Sequence, residues 1–110
     1  KRDNPRRGQE KNAEMAKIIW SPTALEDIDS IAEFISRDSI DNATLFVTRL
    51  IDATDYLQDF PEAGRIVPEI GDVLCREVIY GSYRIMYRIE SEKEIWITGI
   101  IHGARDYKVE

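Results

Sequence analysis

Seven side chains in the second half of this 110-residue chain could do chemistry together: Arg65, Arg76, Arg84, Arg88, His102, Arg105 and Tyr107. Arginine suits the binding of phosphates and carboxylates, because its planar fork donates paired hydrogen bonds and stays charged. A histidine titrates near pH ~6.5 and is placed to move a proton. Arg84 and Arg88 lie in the stretch YGSYRIMYRI, residues 80–89. A strand alternates faces residue by residue, which sets them opposite Tyr83, Ile85, Tyr87 and Ile89. One side of such a strand asks for a core, and the other for water or for negative charge. The plainer alternatives stand beside this one. Arginines on a strand face commonly solubilise or pair with acids, a histidine at a strand end is commonly structural, and Tyr83 and Tyr87 suit a core.

Other chemistries find little support. The single Cys75 and single His102 exclude an internal disulfide and a Cys/His zinc site within one chain. No Walker-type glycine loop occurs, and one histidine does not define a Ser-His-Asp set. No metal or other cofactor is expected.

The elements that must position these groups follow from periodicity. Lys17–Trp20 is a short apolar run suited to a strand. Ser21 and Pro22 then form a helix start, a capping residue followed by proline at the first helical position. Leu25, Ile28, Ile31, Ala32 and Ile35 recur at helical spacing and predict a helix over about 22–37. Asp38 and Ser39 break and cap. Ala43, Phe46, Val47, Leu50, Ile51, Thr54 and Leu57 make a second stripe, with the Thr54 hydroxyl expected to bond back to a helix carbonyl. Residues 59–72, DFPEAGRIVPEIGD, contain two prolines and two glycines and predict a loop. Three strands are expected at roughly 73–80, 83–90 and 94–102, joined at Gly81-Ser82 and at residues 91–93. The order β-α-α-β-β-β predicts an α+β fold, a helical hairpin on one face of an antiparallel sheet.

Charge and composition bound the rest. The chain carries net charge −6, with ordinary apolar (43%) and aromatic (9%) content for one folded domain. Residues 1–14 hold five basic and three acidic groups, which leaves 10 basic and 18 acidic groups in the remaining 96 residues. Nucleic-acid binders usually carry a basic excess, so polyanion binding here would need a local patch. Residues 1–14 are expected to be a flexible extension or an expression remnant, with Met15 as the natural start and residues 15–110 forming one domain. No apolar run nears the ~20 residues of a membrane span, and a cytoplasmic location is the default expectation.

Two registers are open for the hairpin at Gly81-Ser82. A strict two-residue turn sets Tyr80 against Tyr83 and Arg76 against Tyr87. A three-residue loop with a bulge sets Ile79 against Tyr83 and gathers Arg76, Arg84 and Arg88 on one face, with Glu77 turned to the core. The second is preferred here because it collects the arginines, although the buried Glu77 would then need a partner.

Four stretches in order, SPTALEDIDSIAEFI, FPEAGRIVPE, REVIYGSYRIMYRI and IIHGARD, resemble the RelE/ParE family of bacterial type II toxins across residues 17–107. The resemblance implies the β-α-α-β-β-β fold and a cognate antitoxin that wraps and neutralises the toxin, in a hetero-oligomer with no membrane association. It implies one of two activities. The ParE-like branch poisons DNA gyrase, and the P-x-x-G-R-x-V-P-E loop (61–69) with the helix-hairpin spacing looks more like this branch. The RelE-like branch cleaves mRNA on the ribosome without a metal. Arg84, Arg105 and Arg76 match its basic positions, His102 is the candidate for proton transfer, Val78 replaces a second basic residue, and only Tyr107 is near the place of a catalytic tyrosine. Arg65, Arg76, Arg84, Arg88, Arg105 and Tyr107 are then the expected contacts to target or antitoxin, with Arg84 and Arg105 expected to be exposed. A third alternative is a degenerate toxin that only binds antitoxin.

Overall fold

The computed structural model describes residues 15–103. Residues 1–14, Arg105 and Tyr107 lie outside the described residues. The elements are β1 (Lys17–Trp20), α1 (Pro22–Ser36), α2 (Ile40–Asp55), a 3-10 turn (Tyr56–Gln58), β2 (Arg65–Ile66), β3 (Cys75–Tyr80), β4 (Tyr83–Ser91) and β5 (Glu94–His102).

Both helices begin where serine supplies a cap. Ser21 Oγ accepts from the Ala24 N–H at 3.0 Å, and Ser39 Oγ accepts from the Asn42 N–H at 3.1 Å. Each satisfies one of the backbone donors that a helix start leaves unpaired. The helices pack on each other and on one face of the sheet, α1 against β5 and α2 against β3. Ala24, Ile28, Leu50 and Leu57 meet Val78, Ile85, Tyr87, Ile95, Ile97 and Ile100 there. Burying each of the larger side chains contributes about 1.5–3 kcal/mol. Thr54 is buried within α2, and its hydroxyl donates to the Ile51 carbonyl at 2.8 Å. Leu25 and Ile51, placed on the stripes by spacing, are exposed because Ala24, Ile28, Leu50 and Thr54 take the faces turned inward.

The α+β build with a helical hairpin on one face is the expected one, and the sheet adds two features. Its order is β1-β5-β4-β3-β2, and β1 runs parallel to β5, so the sheet is mixed. Arg65 and Ile66, within the predicted loop, pair with Glu77 and Arg76 as a two-residue edge strand.

The hairpin register corrects the sequence-based preference. Tyr80 pairs with Tyr83, Ile79 with Arg84, Val78 with Ile85, Glu77 with Met86 and Arg76 with Tyr87. The turn is the two-residue one, with Gly81 at φ 57°, a region glycine enters freely. In this register Glu77 leaves the helix-facing core and joins Arg84 on the opposite face. Arg76 moves to the Tyr87 side, so the arginines are not gathered on one face.

Two irregularities shape the pairing of β4 and β5. Met86 pairs with Gly99 and Tyr87 with Ile97, so Thr98 is an extra residue. Helix α1 braces this bulge. Asp27 Oδ2 accepts from the Ile100 N–H at 2.9 Å, and the Ser21 N–H donates to the Ile97 carbonyl at 3.0 Å.

Candidate functional site

Arg84 is the centre of the face away from the helices, and it is 5% exposed rather than on the surface. Its Nε donates to Glu77 Oε1 at 2.7 Å. Its two terminal nitrogens donate to the two oxygens of Glu69, at 2.9 and 2.8 Å. Glu77 is itself 1% exposed, and its second oxygen accepts from Arg65 Nε. The order Glu69–Arg84–Glu77–Arg65 thus alternates charge, two guanidiniums against two carboxylates. The Glu69 hydrogen bonds lead in raising the Arg84 guanidinium above its usual pKa, against burial, which alone would lower it. A buried ion pair of this kind contributes less than its contacts suggest, but removing one partner is costly.

The local sequence explains the arrangement. Pairing of β3 with β4 in the two-residue register puts Glu77 beside Arg84, and β2 brings Arg65 opposite Glu77. The chain then turns over the sheet through Val67, which is buried and whose N–H donates to the Cys75 carbonyl at 3.0 Å, and so carries Glu69 onto Arg84.

The other predicted groups divide between two places. Arg65, Arg84 and His102 line one recess of about 330 Å³, together with Ile79, Tyr83 and the Gly81-Ser82 turn. His102 is paired opposite Tyr83, with their rings edge to face at 5.6 Å. Arg65 is the accessible cation there, its side chain 59% exposed. Arg76 is elsewhere. It donates to the carbonyls of Val73 (2.8 Å), Glu62 (3.0 Å) and Gly64 (2.9 Å) and ties the loop before β2 to the sheet. Arg88 lies further along the back face. It donates to Cys75 Sγ at 3.1 Å and pairs with Glu90 at 3.2 Å and Asp72 at 3.9 Å. The negative charge that the two β4 arginines face therefore includes the chain's own Glu69, Glu77, Glu90 and Asp72.

Sequence reasoning missed Glu69. The available signal was the cost of Glu77 in the preferred register: a glutamate between arginine positions asks for the register that pairs it. Tyr87 also has a second role besides filling the core. Its hydroxyl donates to the Pro61 carbonyl at 2.7 Å and accepts from the Gly64 N–H at 2.9 Å.

A second feature is apolar. Phe60, Pro61, Ala63, Leu74 and Ile89 line a groove of about 780 Å³, rimmed by Glu62, Glu90 and Glu92. Phe60 and Leu74 are exposed. Exposed apolar surface in a concave, charged frame marks an interaction site more often than chance exposure does. Among the described residues no group of three His, Cys, Asp or Glu side chains could hold a metal ion, and no helix is long and apolar enough to cross a membrane.

Comparison with known proteins agrees with this architecture. Residues 18–107 match the family model described as ParE toxin of type II toxin-antitoxin system, parDE. Toxin RelE2 of Caulobacter vibrioides is 32% identical over 91 residues, covering 83% of this chain and 99% of that protein. A solved structure described as the chromosomal ParDE TA system from P. aeruginosa superposes with TM-score 0.67 at 21% identity, over 81% of this chain and 97% of that one. At that identity the likeness speaks for the fold. With the family model spanning 90 of the 110 residues, the chain belongs to the RelE/ParE family and is a toxin of the type II toxin-antitoxin class.

Proposed function

We propose that this toxin acts by the ParE-like route, as an inhibitor of DNA gyrase in the cytoplasm, and that a cognate antitoxin neutralises it. One observation carries the choice of route: the motif arginine Arg84 is engaged on all three nitrogens by Glu69 and Glu77. A nuclease of the RelE kind needs such a cation free to hold a phosphate and stabilise charge as the 2′-OH attacks. Here Glu69 holds that position, and Arg76, the other matching position on β3, is bound to loop carbonyls. The acidic body is a further poor fit to ribosomal RNA. The RNA-cleaving alternative keeps one supporting observation, the shared recess of Arg65, Arg84 and His102.

For the antitoxin, the supporting feature is the groove of Phe60, Leu74 and Ile89 inside its glutamate rim. It suits a segment that offers large apolar side chains flanked by lysine or arginine. For the target, Arg65 together with Arg105 and Tyr107 are the proposed contacts.

The test is a DNA gyrase supercoiling and cleavage assay with the purified chain, run beside Arg105→Ala and beside mRNA cleavage on programmed ribosomes. Inhibition of supercoiling by the wild type, lost in Arg105→Ala, is the expected result and places Arg105 at the contact. Unaffected gyrase with cleaved mRNA would replace this reading with the nuclease one.

A further inference from the structure

One short run of chain joins the apolar groove to the recess at Arg84. Phe60, Pro61, Glu62 and Ala63 line the groove, and two residues later Arg65 lines the recess. Two residue steps span at most ~7 Å and five at most ~18 Å, so the groove and Arg65 lie close together. The sheet fixes this run in place. The Tyr87 hydroxyl holds the Pro61 carbonyl and the Gly64 N–H, and Arg76 holds the carbonyls of Glu62 and Gly64. Glu62, Ala63 and Arg65 stay exposed along it. The two ends carry opposite charge. The groove is rimmed by Glu62, Glu90 and Glu92. At the other end, Arg65 is anchored by its Nε on the buried Glu77, and its side chain is 59% exposed. No other described residue engages its terminal nitrogens, the edge that takes a carboxylate as a two-oxygen partner.

From this we infer that a single antitoxin segment occupies both places. Its apolar residues, flanked by lysine or arginine, sit in the groove, and an aspartate or glutamate about two to six positions away pairs with Arg65. This rests on the groove being the seat of the antitoxin. The order of charges along the run also selects the direction in which the segment lies. Reversed, it would set its cation beside Arg65 and its carboxylate among the three glutamates, and like charges brought together at an interface are costly. Since Arg65 is also a proposed target contact, an antitoxin so placed covers it, and neutralisation follows by masking.

Calorimetric titration of the full chain with its cognate antitoxin tests this through a double-mutant cycle. Each aspartate or glutamate of the antitoxin is neutralised in turn to asparagine or glutamine, and every variant is titrated into wild type and into Arg65→Gln. One acidic residue is expected whose neutralisation weakens binding to wild type by about fivefold or more, the size of one close charge pair, and leaves binding to Arg65→Gln unchanged. Equal losses on both toxins, for every acidic residue, would overturn the inference. Leu74→Lys is the control for the groove. If it binds antitoxin as wild type does, the groove reading fails and the inference falls with it. If it weakens binding while no acidic residue couples to Arg65, the groove stands and the inference alone is rejected. Should Arg65→Gln fail to fold, wild type still decides. An antitoxin in which no neutralised acidic residue weakens binding rejects the contact.

Discussion

Removing the Arg84 side chain would leave Glu69 without its bidentate partner and Glu77 buried with only Arg65. An uncompensated buried charge costs several kcal/mol, so Arg84→Ala should lower stability by about 3 kcal/mol in urea unfolding. Arg65→Ala removes a mostly exposed side chain and should cost about 1 kcal/mol or less. If the two variants unfold at the same urea concentration, the cluster does not hold the loop as described. The contrast also governs how toxicity is interpreted, because an inactive Arg84→Ala protein reports on folding before it reports on contact. Tyr87 makes a pH-dependent contribution. Burial is the leading cause that raises its phenol above the usual value, with the Gly64 N–H acting the other way. A folded-state pKa above the unfolded ~10 means the contribution is whole below about pH 10 and is lost as pH rises through the folded value. Tyr87→Phe should therefore be less stable at neutral pH by about 1–2 kcal/mol, through loss of the Pro61 and Gly64 bonds, yet lose less on going alkaline. Parallel stability–pH curves for the two proteins would remove Tyr87 from that role.

Among the elements, the loop before β2 and the bulge in β5 are held by groups from distant parts of the chain. A Cβ at Gly64 would lie 2.6 Å from the Glu77 carbonyl oxygen and 2.6 Å from the Tyr87 hydroxyl. Gly64→Ala must push the loop off the sheet, and the expected cost is about 1–3 kcal/mol, the range seen for overpacking. Calorimetry reads this directly, and an unchanged melting temperature would mean the loop shifts freely. At the bulge, Asp27 satisfies the Ile100 N–H across the helix–sheet interface. Asp27→Ala leaves that donor without its acceptor, so Ile100 should lose hydrogen-exchange protection while the N-terminal caps of both helices keep theirs. Helix spacing and caps were legible in advance, because a 3.6-residue stripe and a serine before it are local signals. The edge strand at Arg65-Ile66 was not legible. Two residues carry no periodicity, and their pairing with β3 depends on a loop that Arg76 fastens from 12 and 14 positions along the chain and Tyr87 from 23 and 26.

At the scale of the molecule, the described residues present two concave surfaces of different kind, a recess lined by Arg65, Arg84 and His102 and an acidic-rimmed apolar groove at Leu74. Under the proposed function the groove serves the antitoxin. Leu74→Lys should weaken antitoxin binding by about tenfold or more, as loss of an apolar anchor does, without weakening gyrase inhibition. Calorimetric titration with the cognate antitoxin measures the first and the supercoiling assay the second. Unchanged antitoxin affinity would move the antitoxin to another face. The sequence by itself determined the two helices, the three long strands, their order and the family, since each rests on local periodicity or on motifs in line. Only the tertiary structure decided which way the arginines face. Both hairpin registers satisfy the same two-residue alternation, and a slip of one residue exchanges every side chain between faces. What separates them is the placing of one acid: in the two-residue turn Glu77 meets Arg84 and Arg65, and in the other it would lie unpaired among Val78's apolar neighbours under the helices. The energy of that pairing comes from residues on three different strands and a loop, and no window of the sequence contains them together.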